Sequence, residues 1–283
     1  VVAEEKRKVV PVIPFWKMNG SGNDFVMVDN REGIFPDDDR VALISRLCQR
    51  QTGVGADGII LLENDLEVDF VWRFYNADGS EAEMCGNGGR CAARFAFLHE
   101  MAGTRMTFRT LAGLIRAEIN QDQVKLELPP PVDFRREIVL EAGDETVTLD
   151  FVNTGVPHAV LIVEDLEAAR VREIGRLLRF HDHFQPAGTN VNFISVADRH
   201  NLKVRTYERG VEDETLACGT GSVAACLVAS ARGLVDSPTR VETRSGEKLL
   251  VYYCRAAAGF TEVFLEGDAK IVYEGNIVQE FLS

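Results

Sequence analysis

Short apolar bursts separated by turn residues dominate this chain, and only a few stretches carry helical spacing. Residues 25–28 predict a strand entered through the turn-rich run Asn19-Gly20-Ser21-Gly22-Asn23-Asp24. Residues 39–51 place Val41, Leu43, Ile44, Leu47 and Cys48 at helical intervals. Residues 59–62 and 70–75 predict strands, and a helix is expected from Gly86, with Gly103 as its stop. Pro129-Pro130-Pro131 continues neither a helix nor a central strand and marks a domain boundary. Beyond it the pattern predicts strands over 147–152 and 159–163, a helix over 166–178, and strands over 191–196 and 203–207. A second glycine-led helix is expected from Gly219 to about Arg232, stopped by Gly233.

The two halves echo each other. Cys85-Gly86-Asn87-Gly88 in the first matches Cys218-Gly219-Thr220-Gly221 in the second, and both lead into small, helix-favouring residues. Gly22-Asn23-Asp24-Phe25 has a looser counterpart in Asn190-Val191-Asn192-Phe193. The pattern reads as an old duplication.

A cysteine just before a helix sits beside unpaired backbone N–H groups and the positive end of the helix dipole, a setting that favours the thiolate. Glycines after it let an anion approach those N–H groups closely. One such element is an anion site, a nucleophile or a packed turn. Two, related by symmetry, suggest a pocket with a thiol on each side. Inverting a carbon–hydrogen stereocentre needs that arrangement, because one group removes a proton from one face while another delivers a proton to the opposite face. The helix-end N–H groups would stabilise the charge that grows on a neighbouring carboxylate.

Composition narrows the field. The 283 residues are 46% apolar and 27% charged, with a net charge of −13. Such an acidic surface argues against nucleic-acid or anionic-membrane partners, and the basic run Lys6-Arg7-Lys8 is too short to change that. No apolar run approaches the roughly 20 residues of a membrane helix, and the N-terminal residues do not resemble a signal peptide, so a cytoplasmic protein is expected. The six cysteines are dispersed without a CxxC pair, so no zinc site is expected; Cys48, Cys91, Cys226 and Cys254 read as core. Gly53-Val54-Gly55-Ala56-Asp57-Gly58 matches GxGxxG, but a helix precedes it and a strand follows, the reverse of a dinucleotide site. His158 reads as a loop residue after Pro157, and His181-Asp182-His183 as a solvated loop without a third metal ligand.

These motifs resemble those of the diaminopimelate epimerase family from Phe15 onward. Lys17-Met18-Asn19-Gly20-Ser21-Gly22-Asn23-Asp24-Phe25 is similar to the family's opening motif. Tyr75-Asn76-Ala77-Asp78-Gly79-Ser80 with Met84-Cys85-Gly86-Asn87-Gly88 and Arg90-Cys91 is similar to its first cysteine signature, and Tyr207-Glu208-Arg209-Gly210 with Ala217-Cys218-Gly219-Thr220-Gly221 to its second. The resemblance implies an α/β (α+β) fold of two pseudo-symmetric domains, each a curled, mostly antiparallel sheet or barrel around a central helix, with the active site in the cleft between them. The domains would span 1–130, joined by a returning strand over 270–283, and 131–269. It implies that Cys85 and Cys218 are base and acid, exchanging roles with direction, and that His158 and Glu208 tune them. Asn23, Asn76, Asn190 and Arg209 would hold the substrate's distal end; Gly86, Asn87, Gly219 and Thr220 would bind the reacting carboxylate, with Glu208 near the reacting amine. It further implies a diaminopimelate substrate, no pyridoxal phosphate, no metal and a homodimer. Two positions depart from many members: Gly58 stands where a glutamine is common, and Val156 where an asparagine is common. The residues alone also admit a related racemase of another amino acid, or a redox sensor pairing Cys85 with Cys218.

Overall fold

Strands Val12–Gly20 and Asn23–Asp29 open the chain as an antiparallel hairpin, its turn made by Ser21 and Gly22 at positive φ. They belong to a computed structural model that describes residues 12–256 and 259–282. The run Lys6-Arg7-Lys8, the start of the expected first domain and Ser283 lie outside the described residues.

From Asn23–Asp29 the sheet steps parallel to Gly58–Glu63, antiparallel to Phe70–Asn76 and parallel to Arg105–Thr110. It then runs antiparallel through Gly113–Asn120 to Gln123–Glu127. Each parallel step needs a crossover, and helices supply it: α1 (Arg40–Cys48) for the first and α2 (Gly86–Leu98) for the second. The second half repeats the sequence of steps. Glu145–Asn153 pairs antiparallel with Pro157–Ile162; α3 (Val171–Arg179) crosses to the parallel strand Asn190–Asp198; Asn201–Glu208 follows antiparallel. Helix α4 (Gly219–Ala231) then crosses to Thr239–Glu242, parallel to Asn201–Glu208, and antiparallel strands Lys248–Ala256 and Gly259–Asp268 complete the set.

Among the described residues, two kinds of pairing tie the halves into one 17-stranded sheet. Gln123–Glu127 pairs with Gly259–Asp268 across the seam. The strand that follows each half also lies on the opening strand of the other: Lys270–Val278 on Val12–Gly20, and Val132–Ala142 on Glu145–Asn153.

A helix apolar on all sides must be covered on all sides. In α2 the residues from Asn87 to Ala93, together with Phe95 and Ala96, are buried, and in α4 everything from Gly221 to Ser230 is. Both helices share one core with Met18, Phe25, Ile60, Trp72, Leu126, Leu249 and Leu265. The outer helices α1 and α3 cover separate clusters on the other sheet faces.

The central helices also end alike. In α4, Gly233 takes a positive φ of 73°, its N–H reaching Ser230 and that of Leu234 reaching Ala229. In α2 the same two bonds run from Glu100 to Phe97 and from Met101 to Ala96. The expected stop at Gly103 is therefore too late: α2 ends at Leu98, and Glu100 takes the left-handed conformation at φ 55°. Glu100 and Gly233 lie 133 residues apart, the separation of Cys85 and Cys218 (233 − 100 = 218 − 85 = 133). A left-handed φ strains an L side chain, and Glu100 is exposed. Glu100→Gly should therefore raise unfolding free energy by roughly 1 kcal/mol in urea titration, whereas Glu100→Ala should give no gain; equal effects of the two would show that the strain is absent.

One other helix differs from expectation. The segment before α3 turns instead of coiling, because the Asp165 carboxylate accepts the N–H groups of Glu167 and Ala168, at 2.9 and 3.1 Å. The helix consequently begins at Val171.

Candidate active site

The N-terminal ends of α2 and α4 open on one cleft of about 440 Å³ between the halves. The first turns are close enough that a β-carbon on Gly219 would stand 3.5 Å from the Asn87 Oδ1. Cys85 and Cys218, Gly86 and Gly219, Asn87 and Thr220, Asn23, Asn76 and Glu208 all line the cleft. So do Phe74, Met84, Leu128 and Val156, which give it an apolar wall. In the sequence Phe74 and Leu128 look like core, and no local signal separates them from it, whereas Met84 and Val156 adjoin the motifs.

Both cysteines occupy the helix N-cap in extended backbone (φ −145° and −130°). The Cys85 Sγ accepts the Gly88 N–H at 3.4 Å, and the Cys218 Sγ lies 3.7 Å from the Thr220 Oγ1. The helix ends do not make these thiols acidic at rest. Burial pushes the Cys85 thiol up, against the pull of the Gly88 and Asn87 N–H groups. Burial, then the Glu208 carboxylate, pushes Cys218 up to about 12. The helix-end N–H groups work against this without reversing it, because a thiolate shut away from water loses more than they return. Glu208 is itself raised by burial, while the Thr215 hydroxyl, 2.7 Å away, opposes the shift. Glu208 and Cys218 thus line one cleft as two groups whose charged forms burial disfavours.

On the Cys85 side a chain of amides is held from within the fold. Arg90, fully buried in α2, donates to the Asn87 Oδ1 at 3.0 Å and also to Ser21 and the Asp268 carbonyl. The Asn87 amide then donates to the Asn23 Oδ1 at 2.8 Å, and that of Asn23 to Asp57 at 2.9 Å. Behind them Lys17 and Arg50 pair with Asp24 at 2.9 Å. Burial pushes Asp24 up, but the bonds from Arg50 and Lys17 outweigh it and hold this carboxyl at about 2. The loop around Gly55 belongs to this ring, since Lys17 donates to the Gly55 carbonyl. It runs from α1 into a strand, so its glycines make a packed connection. At Gly58 a β-carbon would meet the Tyr75 carbonyl oxygen at 2.5 Å, and the Phe74 ring forms the nearby cleft wall.

On the Cys218 side the holder is His158, and here the loop expectation is corrected. His158 is the second residue of Pro157–Ile162 and has no exposure. Pro157 is tolerated because it opens the strand, where its missing N–H breaks little. The ring bridges Thr220 Oγ1, 3.0 Å from Nε2, and the Asn192 Nδ2, 3.0 Å from Nδ1. Burial, and then the positive charge of Arg209, press its pKa down to about 3. Folded His158 therefore stays neutral where the unfolded chain takes up a proton, near pH 6.5. Its contribution to stability is complete above pH 6.5 and falls as pH drops toward 3, by about 1.4 kcal/mol per unit. Urea unfolding at pH 7 and pH 5 should show this as a loss that shrinks by about 2 kcal/mol in His158→Gln; an unchanged difference would place the histidine's proton elsewhere.

Asn190 and Arg209 are not part of the cleft's lining. The Asn190 amide donates to the Pro157 carbonyl and its Oδ1 accepts the Arg209 N–H, while the Arg209 guanidinium donates to the Ala187 carbonyl at 3.1 Å. His181 and His183 sit at a 3-10 turn, where the His181 Nδ1 accepts the His183 N–H. Sequence reasoning missed Arg90, Asp57 and Asn192 as parts of the site. Each stood in a motif without being read as part of the site: Arg90 in the first cysteine signature, Asp57 in the GxGxxG match and Asn192 in the echo Asn190-Val191-Asn192-Phe193.

A family model described as diaminopimelate epimerase matches residues 15–132 and 151–272. The diaminopimelate epimerase of Aquifex aeolicus is 47% identical over 95% of this chain and 99% of its own length. That of Chlorobaculum tepidum is 44% identical over 92% and 99%. Among solved structures, a phenazine biosynthesis protein of the PhzF family from Bacillus anthracis superposes with a TM-score of 0.70 at 14% identity, covering 94% of this chain and 99% of that one. A hydroxyproline epimerase from Agrobacterium vitis, with bound trans-4-hydroxy-L-proline, gives a TM-score of 0.69 at 16% identity, covering 95% and 93%. At such identities these two speak for the fold alone.

Proposed function

The chain belongs to the diaminopimelate epimerase family, and from that premise we propose that it interconverts LL- and meso-diaminopimelate by a two-base reaction between Cys85 and Cys218. The observation that carries this reading is a pair of thiols, each capping its own buried helix, lining one cleft.

One sulfur, as thiolate, takes the α-proton, and the electron pair passes into the substrate carboxylate. The other, as thiol, donates its proton to the opposite face. Both thiols are neutral at rest, so one must first give up its proton; the cationic α-ammonium of the substrate favours that loss, and Glu208, which lines the same cleft as Cys218, is the carboxylate that would take it. The N–H groups at the starts of α2 and α4, with Asn87 and Thr220, meet the growing carboxylate charge. Asn23 and Asn76 face the substrate's distal amino-acid group. Arg209, steadied by Asn190, joins them once its guanidinium leaves the Ala187 carbonyl.

The same reading divides the chain into domains over 1–130 with the returning strand 270–283, and 131–269; the pairing of Lys270–Val278 with Val12–Gly20 supports the returning strand. It needs no pyridoxal phosphate: no described residue lining the cleft is a lysine, which that cofactor requires for its Schiff base. It also places the protein in the cytoplasm, and no described helix is long and apolar enough to cross a membrane. A homodimer fits the exposed Val272 and Tyr273 on Lys270–Val278.

Incubation with LL-diaminopimelate, L-proline, trans-4-hydroxy-L-proline and L-glutamate tests the substrate. The meso isomer should accumulate to equilibrium while the other three keep their configuration. Inversion of proline with inert diaminopimelate would overturn the assignment.

A further inference from the structure

The bond pattern behind Cys218 has a direction. The Asn192 Nδ2 lies 3.1 Å from the Ala159 carbonyl, and its Oδ1 lies 2.9 Å from the Thr206 hydroxyl. A carbonyl only accepts, so the amide nitrogen must face Ala159, and the orientation of Asn192 is settled. That nitrogen is also the neighbour of the His158 Nδ1, which must therefore be the acceptor. A neutral imidazole with an accepting Nδ1 carries its proton on Nε2, and that proton points at the Thr220 oxygen. With its oxygen accepting from His158, Thr220 has its own proton free for the Cys218 sulfur.

We propose that Asn192 is a positioning residue for the reaction: it fixes the His158 tautomer so that the Thr220 hydroxyl donates to Cys218. Asn192 and His158 have no exposure, Thr206 is buried with them, and neither Asn192 nor His158 lines the cleft, so they act through Thr220. A hydrogen bond donated to sulfur favours thiolate over thiol, and it is strongest when Cys218 is the base. Were the tautomer reversed, Nε2 would accept from Thr220 and draw its proton off the sulfur. The relay bears on catalysis only if the two-cysteine reading above is right, but its geometry can be tested without turnover.

Imidazole ¹⁵N spectra of the protein should show His158 with its proton on Nε2 and an unprotonated Nδ1 across pH 5–8. In Asn192→Asp, where acceptors replace the amide N–H, Nδ1 should become protonated. A wild-type proton on Nδ1, or an unchanged Nδ1 in the variant, would overturn the assignment. The sulfur end is read by peptide-resolved alkylation of Cys218 at pH 8. Thr220→Val should slow it about 10-fold, the worth of one hydrogen bond to a charged group, while Thr220→Ser should stay within about 2-fold of wild type. Equal rates for Val and Ser would remove the hydroxyl from the scheme. If the tautomer holds while diaminopimelate proves inert, the relay stands and the substrate assignment fails.

Discussion

Replacing either sulfur should leave an enzyme that exchanges protons but no longer inverts. Cys85→Ala and Cys218→Ala are each expected to lower kcat/KM for epimerisation by about 10⁴-fold, the upper range for losing one general acid or base. Each variant keeps one thiol on one face of the α-carbon. It should still exchange the α-proton slowly with solvent for the single epimer that presents its hydrogen to that thiol. The two variants should therefore show opposite preferences, one exchanging with LL-diaminopimelate and the other at the meso centre. Folding should change little, since a small alanine fits both N-cap positions at a loss of about 1 kcal/mol. Retained epimerisation in either variant, or the same epimer preference in both, would refute the two-base scheme.

The second large effect is expected at a glycine that touches no substrate. A β-carbon on Gly221 would meet the Asn192 Oδ1 at 2.4 Å and the Cys218 Sγ at 3.2 Å. The Asn192 amide is fixed by Thr206, Ala159 and His158, so it cannot yield without breaking that set. Gly221→Ala should lower kcat/KM by about 10²-fold or more, the effect of displacing a reacting group by around 1 Å, and should destabilise by about 1–3 kcal/mol. Gly86 is the contrast, because nothing lies within 4 Å of its added carbon and it faces the cleft. Gly86→Ala should fold as well as wild type, or better by about 0.5 kcal/mol, yet raise KM roughly 10-fold by filling the anion cradle. Equal phenotypes for the two would mean that the glycines serve only to start the helices.

The paired thiols were legible because their signal is local and repeated. A cysteine, two glycines and a run of small residues announce a buried helix start, and the second copy raised it above chance. Gly233 was legible for the same reason. Its partner Glu100 was not, because only a backbone angle reveals that a glutamate fills a glycine's place. His158 misled through Pro157: a proline suggests a loop unless the strand is seen to begin at it. Arg90 and Asn192 were hidden for another reason. An arginine in a helix or an asparagine in a strand looks like surface, and their partners, Ser21 and Asp268 for the first and His158 and Thr206 for the second, come from other parts of the chain. Sequence showed where chemistry starts; the buried hydrogen bonds that orient it depend on the fold.

One isotope experiment bears most directly on the whole account. LL-diaminopimelate is turned over in D₂O for a few per cent of the reaction, and both the product and the remaining substrate are analysed for deuterium. Two sulfurs on opposite faces predict meso product fully labelled at the inverted carbon and an LL pool still carrying hydrogen. Label spread equally through both pools would mean that a single base serves both faces, and the paired-cysteine account would be wrong.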